Sequence, residues 1–481
     1  VNGQIKDEVT QINNATEQLA NTNREIALAR ARSGEAPNDL LNQRDQAVAD
    51  LNKRLNVRLN VQDGETYNVS LPNGQPLVTG TEQFSLKAVD SPTDPQRTVV
   101  GYVDAAGNDV ALDEDLITGG TLGGLTQFRA ETLDKTQNQI GQLAVSFGIG
   151  VNQQQSLGLD LNGEAGEPLF KTGEPRAFSR DGNTGTAEIT NAEFDEASLN
   201  QLRATDYEVR VSSDSPSAAG NLTVTRTDTG EGLDNSAIEV DNTNEKISFG
   251  GVSLTFSDLS NLNEGDQFDV QPVRRGARGI ESAIADGDKI AAASRFSGTM
   301  DVSSIQVTNP DKFPDDTYDY PLTLDKDGNL RDQDNDFIKM VSPGQQVDVD
   351  DNGLRFTINS LPESGAVELK LDESVASGDN RNALALQDLQ ERNEVGGSAT
   401  FSGAYASIVS DVGNRTNITQ VNLDAQQGLT EQLEQVQQSQ SGVNLDEEAA
   451  NLIRYQQFYQ ANAQVIQTGS TILDTILGLS R

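Results

Sequence analysis

The chain of 481 residues contains no histidine, no cysteine and no tryptophan, and only two methionines. Without His or Cys, the usual zinc sites, the Ser-His-Asp and Cys-His nucleophile systems, thiolate redox chemistry and haem ligation are excluded together. A carboxylate pair or a Ser-Lys arrangement survives in principle, but neither has a local signature here. The absence of cysteine also removes disulfides and any reading of redox compartment; a chain threaded unfolded through a secretion channel can do without them. Basic residues are scarce. The 35 Lys and Arg face 74 Asp and Glu, a formal charge of -39. Such a field repels phosphate backbones and anionic lipid, so no nucleic acid and no membrane insertion is expected. No window approaches the roughly 18 consecutive apolar residues of a membrane span. The opening "VNGQIKDEVTQ" lacks Met, a basic n-region and an apolar h-region. It reads as the middle of a helix, so the N-terminus is expected to be incomplete.

What is present is periodicity of two kinds. Length suggests roughly three domains, and an apolar fraction of 35% favours several small cores over one large one. From Val1 to Arg32 the residues Ile5, Ile12, Leu19 and Ile26 recur at heptad spacing with Val9, Ala15 and Ala29 beside them. Gly34 and Pro37 break that helix, Asn38 or Asp39 is placed to cap the next, and Leu41, Val48 and Leu55 repeat the spacing, so the pair reads as an antiparallel hairpin. The period then becomes two around Asp63-Gly64 and Asn73-Gly74, which are hairpin-turn dipeptides. A long helix follows, lined by Leu125, Phe128, Leu133, Ile140, Leu143 and Phe147. Short alternating strands separated by Gly, Asn and Asp turns fill residues 170–276 in sandwich or barrel patterning. "GIESAIADGDKIAAAS" predicts a helical bridge to a second β segment from Met300 to Leu371, and helix returns with "GDNRNALALQDLQ".

The last segment is helical throughout. Tyr405, Ile408, Val412, Ile418, Val421, Leu429, Leu433 and Val436 fall at helical intervals before a joint at Gly442. Asn444 and Glu447 form an N-x-x-E capping box, which starts a final helix at Leu445 spanning on the order of 50 Å. Leu445, Leu452, Tyr459, Ile466 and Leu473 make one row at spacing seven, and Phe458, Val465 and Ile472 make a second, with Ile476 one turn beyond. That double row is wider than one coiled-coil seam requires. Packing into its own core is the ordinary use of such a face, but heptads at both chain ends suggest that the two terminal helices pair.

Other constellations have simpler readings. Asp325, Asp327, Asn329 and Asp332 supply oxygen ligands at alternating positions, yet the glycine stands one place early for an EF-hand and no Glu closes the loop. A solvated hairpin turn around Gly328 accounts for them. "DVDDNG" at 348–353 reads as a turn between strands, and "DLNGEAG" from Asp160 as the loop that follows the long helix. Arg44 and Asp45 mimic a catalytic ion pair, but charge on a helix surface explains both. No catalytic residue, metal site or cofactor is expected.

"SGVNLDEEAANLIRYQQFYQANAQVIQTGSTILDTIL" resembles the C-terminal signature of the flagellar hook-associated protein 1 family. "PNDLLNQRDQAVADLN", "VQDGETYNVSLPNGQPLV", "GGLTQFRAETLDKTQNQIGQLAVSF", "GLDLNGEAG", "DKIAAAS" and "GDNRNALALQDLQ" are similar to the same family, in order. The resemblance implies a structural subunit at the junction between hook and filament, required for filament assembly and motility, and not an enzyme. The implied fold is α+β multidomain, with a helical coiled-coil or bundle stem built from both chain ends and inserted antiparallel β-rich domains. Its divisions are expected at 1–169 and 376–441 for the stem, 170–282 and 300–375 for two outer β domains, 283–299 for the bridge and 442–481 for an inner-core helix. The opening helix of the family is absent before Val1, and the segment 300–371 looks like an extra outer domain. By the same implication the double row, Leu445 to Ile476, is an assembly and chaperone interface. Its partners are the flagellar hook protein, the next hook-associated junction protein, other copies in a ring or helical layer and, before secretion, a cytoplasmic export chaperone. The place of work is extracellular, on the flagellum, reached through the flagellar secretion apparatus. Two other classes compete: an adhesin or glycan-binding module on residues 170–390, and a hydrolase using acidic residues, which the lack of any convergent motif puts last.

Overall fold

The computed structural model describes residues 1–62, 66–104, 106–308, 312–313, 321–349, 353–371, 378–441 and 445–479, with the side chains of 197, 437, 440–441, 445, 469 and 472–479 outside the description. The chain divides into two compact units, Val1–Val412 and Gly413–Arg481. The first is an α+β unit with three separate cores.

Helix α1, Asn2–Ser33, buries its heptad row, and Gly34 ends it in the left-handed conformation (φ 83°) with its N–H on the Arg30 carbonyl at 2.8 Å. Helix α2, Asn38–Arg54, follows Pro37, and neither Asn38 nor Asp39 occupies the cap position. Arg54 bonds Glu8 at 2.9 Å, which ties the end of α2 to the start of α1 and makes the hairpin antiparallel. Antiparallel strands Arg58–Gln62, Thr66–Ser70, Pro76–Thr79 and Glu82–Gln83 come next in a meander, then Leu86–Ser91, Asp94–Val103 and Asp109–Ala111. Gly74 takes φ 93° in the Asn73-Gly74 turn; Asp63-Gly64 lies outside the described residues. Ile5, Val9, Ile12 and Leu19 share one core with Leu51, Leu77, Val100 and Leu122. The heptad row of α1 is therefore spent on its own module.

The long helix is helix α3, Gly120–Phe128, a π-helical turn Arg129–Asp134 and helix α4, Lys135–Ser156, without a break. Phe128, Ile140 and Phe147 from the expected lining are exposed, whereas Leu122, Gly141, Val145, Gly148 and Ile149 are buried. The extra residue in the π turn shifts the register of everything after it, and glycines together with Val145 and Ile149 make the packed face. Val145 and Ile149 join a β-sandwich core with Tyr207, Val209, Ile247 and Phe268. Its two four-stranded sheets run Arg176–Ser179, Gln267–Gln271, Tyr207–Val211, Leu222–Arg226 and Ile189–Phe194, Val252–Phe256, Lys246–Phe249, Ile238–Asp241.

The expected helical bridge at 283–299 is not a helix. Only Gly287–Lys289 makes a 3-10 turn, and Ala293–Ser294 pairs as a strand with Gly158–Leu159. "IAAAS" offers no amphipathic stripe, and its small side chains let the backbone lie close to helix α6, Arg381–Asp388, whose Asn382 bonds the Ala291 carbonyl at 2.6 Å. (Helix α5 is the single turn Gly276–Gly279.) A second β module follows, with a five-stranded and a three-stranded sheet around Leu322, Leu330, Val347, Leu354 and Phe356. Helix α7, Phe401–Ser441, begins in the first unit, where Phe401 meets Phe147 edge-on at 5.5 Å and Ile408 is buried.

Candidate functional site in the C-terminal helices

The second unit contains the remainder of α7 and helix α8, Leu445–Leu479. Neither Pro nor a glycine cluster interrupts α8, and Asp446, Glu447 and Glu448 fill its first turn, where carboxylates favour the positive end of the helix dipole. The helix starts where the capping box puts it, although Asn444 lies outside the described residues.

The expected rows are bare wherever their side chains are described. Leu452, Phe458, Tyr459, Val465 and Ile466 are between 56% and 78% exposed. Leu445, Ile472, Leu473 and Ile476 lie on α8, with side chains outside the described residues. Because residues three and four apart share a helix face, the rows through Phe458 and Tyr459 run side by side. Tyr455, also exposed, stands between them. Sequence reading missed Tyr455, although its spacing of three from Phe458 and four from Tyr459 carries the signal. Ile418, Val421, Leu429, Leu433 and Val436 on α7 are exposed as well. Burial of each such side chain would contribute about 1.5–3 kcal/mol, so the face has a large unrealised capacity to bind another apolar surface. No described helix is long and apolar enough to cross a membrane.

The other sequence candidates resolve into local structure. Asp325 accepts the N–H groups of Asp327 and Asn329, both at 2.9 Å, and the Asn329 side-chain amide at 2.8 Å. These bonds hold its carboxyl below the usual range, with Asn329 as the largest cause, and occupy the oxygens a cation would use. Asp332 belongs to the next turn, accepting from Asp336 N at 2.8 Å. Among the described residues no group of three His, Cys, Asp or Glu could hold a metal ion. Asp160 similarly takes the N–H groups of Asn162 and Glu164 at 2.8 and 2.9 Å, and Gly163 supplies the positive φ that closes the loop. Asp348 pairs with Arg355, and 350–352 lie outside the described residues. Arg44 is not a surface charge. It is buried, with its guanidinium 3.5 Å from the centroid of the Tyr67 ring, and the ring face offsets its desolvation. Asp45 is exposed, with its carboxylate 3.3 Å from the Arg44 guanidinium.

Comparison with known proteins agrees along the whole length. The family model for the helical domain of flagellar hook-associated protein FlgK matches residues 1–170. That for the C-terminal part of the flagellar basal body rod FlgEFG proteins matches residues 436–479, which include α8. Flagellar hook-associated protein 1 of Salmonella typhimurium is 35% identical over 486 residues, covering 100% of this chain and 71% of that protein. Its counterpart in Escherichia coli is 34% identical over 484 residues, with shares of 100% and 71%. Among solved structures, the flagellar hook junction protein FlgK from Burkholderia pseudomallei superposes with a TM-score of 0.71 at 30% identity, covering 91% of this chain and 84% of that one.

Proposed function

The chain belongs to the flagellar hook-associated protein 1 family, which has its role at the hook–filament junction of the bacterial flagellum, and from that premise we propose that the double row of α8 is its assembly interface. Leu445, Leu452, Phe458, Tyr459, Val465, Ile466, Ile472, Leu473 and Ile476 make up this surface. The observation that carries the proposal is the exposure of its described members on an uninterrupted 35-residue helix. A face of that width is served by more than one neighbouring helix. Copies of the chain associate through it in a ring or helical layer, with hook protein on one side and the next junction protein on the other.

Before assembly the same face needs cover, because exposed apolar rows of this size promote aggregation. A cytoplasmic export chaperone supplies it, and the flagellar secretion apparatus then carries the chain to the extracellular flagellum. The protein works as a structural subunit and not as an enzyme, with residues 1–169 and 376–441 as its stem, 170–282 and 300–375 as outer β modules and 442–481 as the inner helix. Co-sedimentation with polymerised hook subunits tests the reading. A chain ending at Gln440 is expected to keep the fold of residues 1–412 and to lose co-sedimentation; undiminished co-sedimentation overturns it.

A further inference from the structure

In a chain of formal charge -39, the run "RRGAR" at 274–278 places three arginines in five positions. The run follows the strand Gln267–Gln271 and forms the single turn α5. Backbone packing sets its position. A Cβ on Gly276 would lie 2.4 Å from Val145 Cγ2, and a Cβ on Gly141 would lie 1.7 Å from the Val273 carbonyl oxygen. Only glycines facing each other allow α4 and this turn to approach so closely.

The turn borders a cavity of about 530 Å³, which Val1, Asn2 and Gly3, the π-helical turn Arg129–Asp134 and the strand Asp94–Val103 also line. Guanidinium groups of Arg97, Arg129, Arg274, Arg275 and Arg278 contribute to its wall, with the carboxylates of Asp94 and Asp134. π turns inside α-helices occur often at functional sites, and this one carries both Arg129 and Asp134.

The charges around the cavity do not balance. Arg97 bonds Asp134 at 2.7 Å and also Glu114, Arg129 bonds Glu114, and Arg274 bonds Asp206 and reaches Asp134 at 3.4 Å. Arg275 reaches Asp94 only at 3.5 Å, and its other Nη donates to the Gln96 side-chain oxygen at 2.5 Å. Four carboxylates are thus shared among four arginines, and the fifth, Arg278, has no side-chain partner among the described residues. The Nε atoms of Arg129 and Arg274 are buried without an acceptor. Burial, then the charge of Arg97, pushes Arg129 down to about 10. Burial also lowers Arg275; Asp94 opposes that shift, and Arg176, Arg274 and Arg278 add repulsion. This pocket is short of negative charge in a molecule that has it in excess elsewhere.

We propose that the cavity is a binding site for a small tetrahedral oxyanion of the phosphate or sulfate class, with Arg275 and Arg278 as its main ligands. Planar guanidinium forks converging from several elements suit the several oxygens of a tetrahedral dianion, which accepts paired N–H bonds where a chloride ion offers one centre. The bound anion neutralises Arg278, the one arginine of the five without a carboxylate among the described residues, and links the π-helical turn and the strand Asp94–Val103, through Arg129 and Arg97, to the turn that leaves the β sandwich. The site is independent of the α8 face.

The test is isothermal titration and thermal unfolding of the full chain with sodium phosphate and, separately, sodium sulfate, each against sodium chloride at matched ionic strength. Saturable binding and a transition raised by about 3 °C, a shift that linkage supplies well above the dissociation constant, are expected. Comparison of the two titrations assigns the preferred anion. Arg278 is exposed and Arg275 is half-buried, so Arg275→Ala/Arg278→Ala is expected to keep the circular dichroism spectrum and to bind at least tenfold more weakly. Equal effects of phosphate, sulfate and chloride overturn the proposal, as does unchanged affinity in the folded double variant, which would mark the anion as bound elsewhere.

Discussion

Helices α1 and α8 are written in nearly the same way. Both are long, both set Ile, Leu and Val at spacing seven, and both fill the intervening positions with Asn, Gln, Glu and Thr. Their outcomes are opposite. Ile5, Ile12, Leu19 and Ile26 are at most 4% exposed, whereas Leu452, Phe458, Tyr459, Val465 and Ile466 are more than half exposed. The difference lies in what surrounds them in the chain. After α1 come a second amphipathic helix and a β meander that bury the row at short sequence distance, so the cost of ordering is met by contacts the chain itself supplies. A heptad row thus specifies a face, and its neighbours decide whether the face becomes core or interface.

The largest test of that contrast is Leu19→Asp, which places an unpaired carboxylate in the first core. A loss of about 4 kcal/mol or more is expected in urea denaturation followed by circular dichroism, since an isolated buried charge has no compensation there. If Leu19→Asp were tolerated, the buried row would not be holding the module. Gly141→Ala comes next. Its Cβ meets backbone, not a flexible side chain, and overpacking of this kind costs about 3 kcal/mol, read as a lowered midpoint in the same denaturation.

A smaller effect concerns Asp206, which burial raises to about 6 although Arg274 lies beside it. The folded state therefore holds the proton more tightly than the unfolded chain does. Stability from this group is fully present below the ordinary carboxyl value of 3.8 and is lost as pH rises through about 6. Asp206→Asn is expected to flatten the stability difference between about pH 4 and pH 7 by roughly 1–2 kcal/mol, measured by denaturation at a series of pH values. An unaltered slope would contradict a raised Asp206.

The smallest expected change in stability sharpens the comparison most. Ile466→Asp on α8 should alter urea stability by less than about 0.5 kcal/mol, as exposed substitutions generally do, while abolishing co-sedimentation with hook subunits. If it destabilised the fold as Leu19→Asp does, α8 would be core after all, and the contrast between the helices would fail.

Legibility followed the range of the interactions involved. The C-terminal end of α1 at Gly34, the Asn73-Gly74 turn, the start of α8 and the spacing of its apolar residues were readable because capping, turn formation and helical periodicity act over a few residues. Arg44 was misjudged because its ring partner, Tyr67, lies beyond the helix that carries it. The lining of α4 was misjudged because the π turn shifts the register and because Gly141 and Gly148, which look like weak points in a helix, make its close contacts. The segment 283–299 failed as a helix because strand pairing with Gly158–Leu159 and the close contact with Asn382 of α6 outweighed the strong intrinsic helical preference of its alanines. None of the arginines around the cavity shares a local motif across the 94–134 and 274–278 regions, so no sequence window contains the site.

Composition and periodicity alone therefore determined that the protein is acidic, without histidine or thiol chemistry, α+β in class, and finished by a helix with a broad apolar face. Tertiary structure decided which apolar rows are covered and where arginines from separate modules converge. Hydrogen bonding within a helix is local and leaves its mark in consecutive residues, whereas burial and electrostatic balance are sums over neighbours brought together only when the chain folds.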